Sequence, residues 1–296
     1  MPDTATAPHS VGLRDAQAMP VLTSPASMRR WRNTVSGSVG FVPTMGYLHE
    51  GHMELVRRSV RENLHTVASV FVNPAQFGPN EDYARYPRDE VRDLQLLREA
   101  GVSAVYLPSA LEIYPEGYQT YVEVDGVTQG LEGASRPGHF RGVATVVLKL
   151  LNTVQPQRAY FGRKDAQQLR VVQRMVRDLD LDCEIVPCEI VREADGLAKS
   201  SRNVYLTPEQ RAAAPVIRRA LLLARDAFES GERDPNALRA LVQHELDAES
   251  LGQVEYISLA NDATLEELES ALSGPALLST VVRFGPTRLL DNVELG

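Results

Sequence analysis

The chain has 296 residues, 43% hydrophobic and 24% charged, with 31 basic against 39 acidic side chains and a net charge of −8. That length suggests roughly two domains and enough apolar surface for a core without disulfides or a structural metal. Chains that live by gripping a nucleic-acid backbone are usually basic, so the acidic balance argues against a nucleic-acid partner.

Residues 1–19, rich in Ala, Pro, Thr and Ser, carry no apolar signal-peptide core and read as a disordered start. No run is long and apolar enough to span a bilayer, so a cytoplasmic chain with no membrane partner is expected. Residues 39–42 read as a strand. Residues 52–63 read as a helix, with Met53, Val56, Val60 and Leu64 on one face and Arg57, Arg58 and Arg61 on the other. A buried strand follows at 66–72, a helix stopped by Gly101 at 89–100, and a strand at 104–107. Beyond a Gly/Pro-rich stretch, 143–152 is an almost wholly apolar helix. A short strand closes at Tyr160, a helix covers 165–179, and 184–191 is again a strand. The two cysteines, Cys183 and Cys188, form no CxxC pair or zinc pattern and read as reduced side chains at that strand. Alternating strands and helices imply an α/β fold, a Rossmann-like doubly wound parallel sheet.

The last third reads differently. Thr207 and Pro208 open a long helix over 208–228, and a second helix covers 235–247. Then come a strand near 254–259, a short helix from Thr264, and strands near 277–284 and 287–290. This is a small α+β domain. The boundary falls between 191 and 202, giving domains 1–191 and 192–296.

The densest chemical signal is Pro43-Thr44-Met45-Gly46-Tyr47-Leu48-His49-Glu50-Gly51-His52, where the first strand gives way to a helix. Ligands bind at such junctions in open α/β sheets. Gly46 and Gly51 would let backbone approach a phosphate, beside a helix N-terminus with its free N–H groups. His49 and His52 would donate hydrogen bonds to charge developing at phosphorus. An HxGH element in this position points to nucleotidyl-transferring folds. Two further junctions carry cations: Phe161-Gly162-Arg163-Lys164-Asp165, and the hydroxyl-rich loop Asp195-Gly196-Leu197-Ala198-Lys199-Ser200-Ser201-Arg202-Asn203. The chain has three lysines, Lys149, Lys164 and Lys199, and two of them lie in these loops. A flexible ammonium follows a moving phosphate better than a planar guanidinium does.

These runs, together with Phe71-Val72-Asn73-Pro74-Ala75-Gln76-Phe77 and Arg136-Pro137-Gly138-His139-Phe140-Arg141-Gly142-Val143, stand in an order that resembles the pantoate–β-alanine ligase family. The resemblance covers about 39–206 and resumes weakly at 287–293. It implies a Rossmann-type ATP domain of the HxGH type with a smaller C-terminal lid, in a homodimer. It also implies pantoyl adenylate formation from ATP and pantoate with Mg2+ present, then attack by β-alanine to release pantothenate and AMP. Met45, Gly46, Tyr47, Leu48, His49, Glu50, Gly51 and His52 would bind ATP, with His52 as proton donor and His49 and Lys164 also catalytic. Gly162, Arg163, Lys164 and Asp165 would hold the nucleotide, completed by Val191, Lys199, Ser200, Ser201 and Arg202. Gln76, Gln168, Asn73 and His139 would meet pantoate or β-alanine; Gln167 and Gln168 are adjacent on a helix, so only one can face the site. No carboxylate pattern marks magnesium ligands, and Asp93 is the one candidate.

The chain departs from the resembled pattern at Arg163, usually Glu, at Lys199, usually Met or another apolar residue, and at Ala166, usually aromatic. The two new cations should make the nucleotide site more positive, and Lys199 is expected to touch phosphate. Two alternatives stay open: a nucleotidyltransferase that leaves the nucleotide on its product, and a nucleotide-binding protein without turnover.

Overall fold

The computed structural model describes residues 19–79 and 81–296; all but the last residue of the expected disordered start lies outside these. Met19 itself is buried.

The elements run β1 (Val21–Leu22), α1 (Pro25–Thr34), β2 (Val39–Thr44), α2 (Glu50–Glu62), β3 (His65–Val70), α3 (Glu90–Glu99), β4 (Ala104–Tyr106), α4 (Ala110–Ile113), α5 (Leu131–Ser135), α6 (His139–Val154), β5 (Arg158–Gly162), α7 (Ala166–Asp178) and β6 (Glu184–Cys188). The six strands form one parallel sheet in the order β1-β4-β3-β2-β5-β6. After β1 at the edge, the chain enters the middle of the sheet at β2, works outward through β3 and β4, and returns to the other side for β5 and β6. The crevice at the C-terminal ends of β2 and β5 is the topological switch point, where such sheets bind ligands.

Side chains alternate across this sheet as the pleat requires. Val39, Phe41, Val67, Ala104, Tyr106, Ala159 and Phe161 face the core shared with α6, α7 and Met28 of α1. Val42, Ala68, Val105, Tyr160 and Val186 face the core shared with α2 and α3. The central strands β2, β3, β4 and β5 are buried on both faces, which explains why they read as apolar runs rather than as alternating ones.

The remainder comprises α8 (Pro208–Ala213), α9 (Val216–Glu229), α10 (Pro235–Asp247), β7 (Gly252–Asn261), β8 (Ala276–Phe284) and β9 (Thr287–Leu295), the strands forming an antiparallel β7-β8-β9 sheet. One face of it packs on α9 and α10, with Leu221, Leu238, Leu278 and Phe284 in a second core. Leu277 and Tyr256 pack instead against the core of the parallel sheet. Across that contact Arg288 donates to both oxygens of Glu132 and to Glu255, and the Tyr256 hydroxyl donates to Glu132 at 2.9 Å.

Several expected boundaries move. The expected helix over 208–228 is two helices, because Pro215 has no N–H for the preceding turn and its ring crowds it. No helix starts at Thr264: the Asn261 side chain accepts the N–H groups of Ala263 and Thr264 and makes a turn. Leu64 does not join the apolar face of α2; it lies past the helix end and is 58% exposed. Helix α6 begins four residues early, behind Gly138 at φ +81°, β6 stops at Cys188, and β9 runs on to Leu295. β1, α4 and α5 are too short to show a period, and α1 is not among the expected elements although Ser24 and Pro25 carry cap and first-turn signals at its start. Among the described residues no helix is long and apolar enough to cross a membrane.

Arg288 and Glu132 are 16% and 10% exposed, so removing one partner strands a buried charge. Arg288→Met is expected to lower unfolding free energy by about 3–5 kcal/mol, read as a fall in the urea midpoint at constant slope.

Candidate active site

A cleft of about 1140 Å³ opens at the C-terminal edge of the parallel sheet, with walls from both sheets. Its first wall follows β2. Thr44 closes that strand, its hydroxyl donating to the Ser69 carbonyl at 2.7 Å and accepting the Gly46 N–H at 3.2 Å. The chain then turns through Gly46 at φ +79° and Tyr47 at φ +49°. A side chain at Gly46 would lie 2.9 Å from Val70 and 3.0 Å from Asp93. The buried Asp93 carboxylate accepts the N–H of Tyr47 at 2.6 Å and of Leu48 at 2.7 Å.

This turn delivers His49 as the N-cap of α2. The His49 Nδ1 accepts the Gly51 N–H at 3.1 Å, and the His52 Nδ1 accepts the His49 N–H at 3.4 Å. The two rings stack with centroids 4.0 Å apart. Because each Nδ1 is an acceptor, a neutral ring carries its proton on Nε2. Both rings are neutral at physiological pH. Burial, then the Lys164 charge, pulls His49 down to about 4. Burial, then the His49 ring, pulls His52 down to about 3. The cleft thus receives two neutral N–H donors beside cations. Gly51 makes room for this pair, since a Cβ there would meet the His49 ring at 2.8 Å.

The second wall follows β5. Lys164 sits 3.5 Å from Asp165, and the Asn292 side chain of β9 donates to the Arg163 and Lys164 carbonyls at 3.1 and 2.9 Å. Of the paired glutamines, Gln167 is spent: it accepts the Glu132 N–H and donates to the Val127 and Gly130 carbonyls. Both glutamines border the cleft, against the expectation that only one can, but the Gln167 amide is already taken. The third wall is the loop after β6. There Lys199 pairs with Glu193 at 2.9 Å, Ser201 donates to the Tyr47 carbonyl at 3.3 Å, and Arg202 makes a two-pronged pair with Asp82 at 2.9 and 3.0 Å.

Gln76 faces these from the turn after β3. Its amide donates to the Met45 sulfur at 3.2 Å and accepts from Asn73 at 3.0 Å. Helix α6 packs hard on this turn, because a Cβ at Gly142 would lie 2.1 Å from the Ala75 carbonyl oxygen.

Met45, His49, Gly51, His52, Gln76, His139, Gly162, Lys164, Asp165, Gln168, Val191, Lys199, Ser200, Ser201 and Arg202 line the cleft. Other expected contacts do not. Gly46, Tyr47 and Leu48 form the turn beneath, and Glu50 points outward to Arg57 at 2.5 Å. Arg163 turns away to Glu189 and Glu294, so it adds no free charge to the nucleotide side. Asn73 is buried and fully occupied, holding the N–H of Ala75, the Tyr114 hydroxyl, Gln76 and the Gly142 carbonyl. His139 reaches the cleft wall with both ring nitrogens engaged, by the Gln76 carbonyl at 2.9 Å and Arg136 at 3.1 Å. Asp93 lies off the cleft lining, and loop amides bond to both its oxygens; no cluster of three metal-binding side chains occurs among the described residues. Sequence reading missed Glu81, which clasps Arg136 at 2.6 and 2.7 Å, as well as Asp82 and Asn292. Arg136 lies in one of the motif runs, but its partner does not.

The chain matches the family model for pantoate–β-alanine ligase over residues 20–294. It belongs to that family. It is 56% identical to the pantothenate synthetase of Herpetosiphon aurantiacus over 91% of this chain and 96% of that one. The pantothenate synthetase structure from Thermus thermophilus superposes with a TM-score of 0.88 at 50% identity, covering 93% of this chain and 99% of the other. The Francisella tularensis ligase, solved with beta-gamma ATP and β-alanine, superposes at 0.76 and 33% identity over 93% and 97%. The chain is therefore a ligase, as its motifs implied.

His139, like His49 and His52, is held low, at about 4, by burial and then by Arg136. Unfolded histidines titrate near 6.5. Between pH 6.5 and 4 the unfolded chain therefore binds more protons, so stability is complete above this window and falls as pH drops through it, with uptake of up to about three protons. A plot of stability against pH should show this slope, and His139→Gln should reduce it by about one proton.

Proposed function

We propose that this chain condenses (R)-pantoate with β-alanine using ATP, through pantoyl adenylate. A pantoate carboxylate oxygen attacks the α-phosphorus, and the bond to the bridging oxygen of pyrophosphate breaks. The β-alanine amine then attacks the acyl carbon. The bond to AMP breaks, the nitrogen loses a proton, and pantothenate leaves. The observation that carries this reading is the stacked His49–His52 pair in the same cleft as Lys164 and Lys199.

In this reading the Nε2–H groups of His49 and His52 donate to the phosphates, His52 at the α-phosphate. Lys164 and Lys199 meet the charge that builds as pyrophosphate departs. Arg202 joins them by exchanging Asp82 for phosphate. Neutral donors orient without attracting the pantoate carboxylate away from phosphorus. Gln76 and Gln168 supply uncharged amides for a hydroxylated acid, while Asn73 and His139 act behind Gln76 rather than on substrate. Met45, Gly162, Asp165, Val191, Ser200 and Ser201 shape the nucleotide pocket. Magnesium arrives with ATP on its phosphates as part of the substrate. We place the division between the ATP- and pantoate-binding domain and the C-terminal lid at 191/192, and read the protein as a cytoplasmic homodimer.

With ATP, magnesium and pantoate alone, purified protein should release about one pyrophosphate per site, because the adenylate stays bound; sustained AMP release should begin only when β-alanine is added. Pyrophosphate release that ignores pantoate, or product that keeps the nucleotide, would overturn the reading. Lys199→Met should raise the KM for ATP about tenfold, the size of one charged contact, and leave the KM for pantoate alone. An unchanged ATP value would remove Lys199 from the phosphates.

A further inference from the structure

The two lysine-bearing loops are far apart in sequence and end on neighbouring residues of one strand. In β9, Asp291 and Asn292 are 3% and 4% exposed. The Asn292 amide donates to two successive carbonyls, of Arg163 and Lys164, at 3.1 and 2.9 Å. The Asp291 carboxylate holds Arg192 with both oxygens at 2.6 and 3.0 Å, and Arg192 donates onward to the Gly196 carbonyl at 3.1 Å. Arg192 also bridges to Ala198, so this hairpin leads directly into Lys199. Asp291 in turn accepts the Asn292 backbone N–H at 2.8 Å, which fixes its carboxylate against the strand where Asn292 sits.

We propose that Asp291 and Asn292 are positioning residues that set Lys164 and Lys199 at a fixed separation for one triphosphate. This rests on the reading of both lysines as phosphate contacts. Neither residue touches substrate in this account. Asn292 acts on Lys164 through the turn that carries it, and Asp291 acts on Lys199 through Arg192. A paired grip is needed because each loop springs from a different strand of the parallel sheet, and β9 belongs to the other sheet. Displacing a catalytic group by about an ångström costs on the order of a hundredfold in rate.

The test measures steady-state pantoate-dependent pyrophosphate release with β-alanine present, and amide hydrogen exchange, on the full chain. Asn292→Ala and the shape-preserving Asn292→Leu should both lower kcat on the order of a hundredfold. The KM for pantoate should stay near wild type, and neither change should add to the loss caused by Lys164→Ala. Exchange should quicken at 162–168 in both variants, and at 192–199 in Asp291→Asn. A wild-type rate in Asn292→Leu would reduce the residue to packing, and a loss that multiplies with that of Lys164→Ala would show that it acts elsewhere; either overturns the proposal. If the wild-type protein releases no pyrophosphate, the functional reading fails and the exchange pattern alone decides. Unchanged exchange in both loops then overturns the positioning role as well.

Discussion

Asp93 gives both carboxylate oxygens to backbone amides in a place where water does not reach them. Burial raises its proton affinity, and the two N–H groups work against that rise. An ionised carboxylate in such a position is costly, yet a neutral side chain could not accept from two adjacent amides with equal strength. Those amides belong to Tyr47 and Leu48, in a turn that passes through two positive-φ residues. The strain of a left-handed tyrosine is held by the carboxylate beneath it. Without that turn, His49 would not reach the cap of α2, the rings would not stack, and the proton would not be assigned to Nε2. The Tyr47 carbonyl, fixed by the same turn, also receives the Ser201 hydroxyl from the loop that carries Lys199.

The parallel sheet was legible, though not its strand order, because buried parallel strands write themselves as short β-branched runs between helical ones. What escaped was local. Pro215 breaks a helix that its neighbours would otherwise continue, and Asn261 turns the chain where periodicity suggested a helix. Two-residue β1 is too short to carry a period and exists because β4 offers it an edge.

The site was legible in residue type and less so in role. His49, His52, Gln76, Lys164, Gln168 and Lys199 all reach the cleft. Asn73, His139 and Asp93 carry equally suitable atoms, but those atoms are already bonded to protein. A sequence tells what a side chain can bond, not which of its bonds are already taken. That needs partners brought together from as far as 69 residues away for Asn73 and 63 for His139. Arg163 is kept off the cleft lining in the same way: its guanidinium is paired with Glu294 from the far end of the chain.

The clasping of cations extends across the cleft. Arg136 is held by Glu81, Arg202 by Asp82 and Lys199 by Glu193. A cleft that must receive a triphosphate would repel its own walls if its cations stood bare, so each carboxylate lowers the cost of gathering them. The same carboxylates oppose the ligand. In the proposed reading a triphosphate would displace Glu193 and Asp82 to gain Lys199 and Arg202, whereas the Asn292 clamp on the Lys164 turn uses neutral groups that no phosphate competes for. The exchangeable contacts are therefore ionic and the permanent ones are amide to carbonyl. Anion binding can then rearrange the charges around the lysines without moving the backbone that aims them.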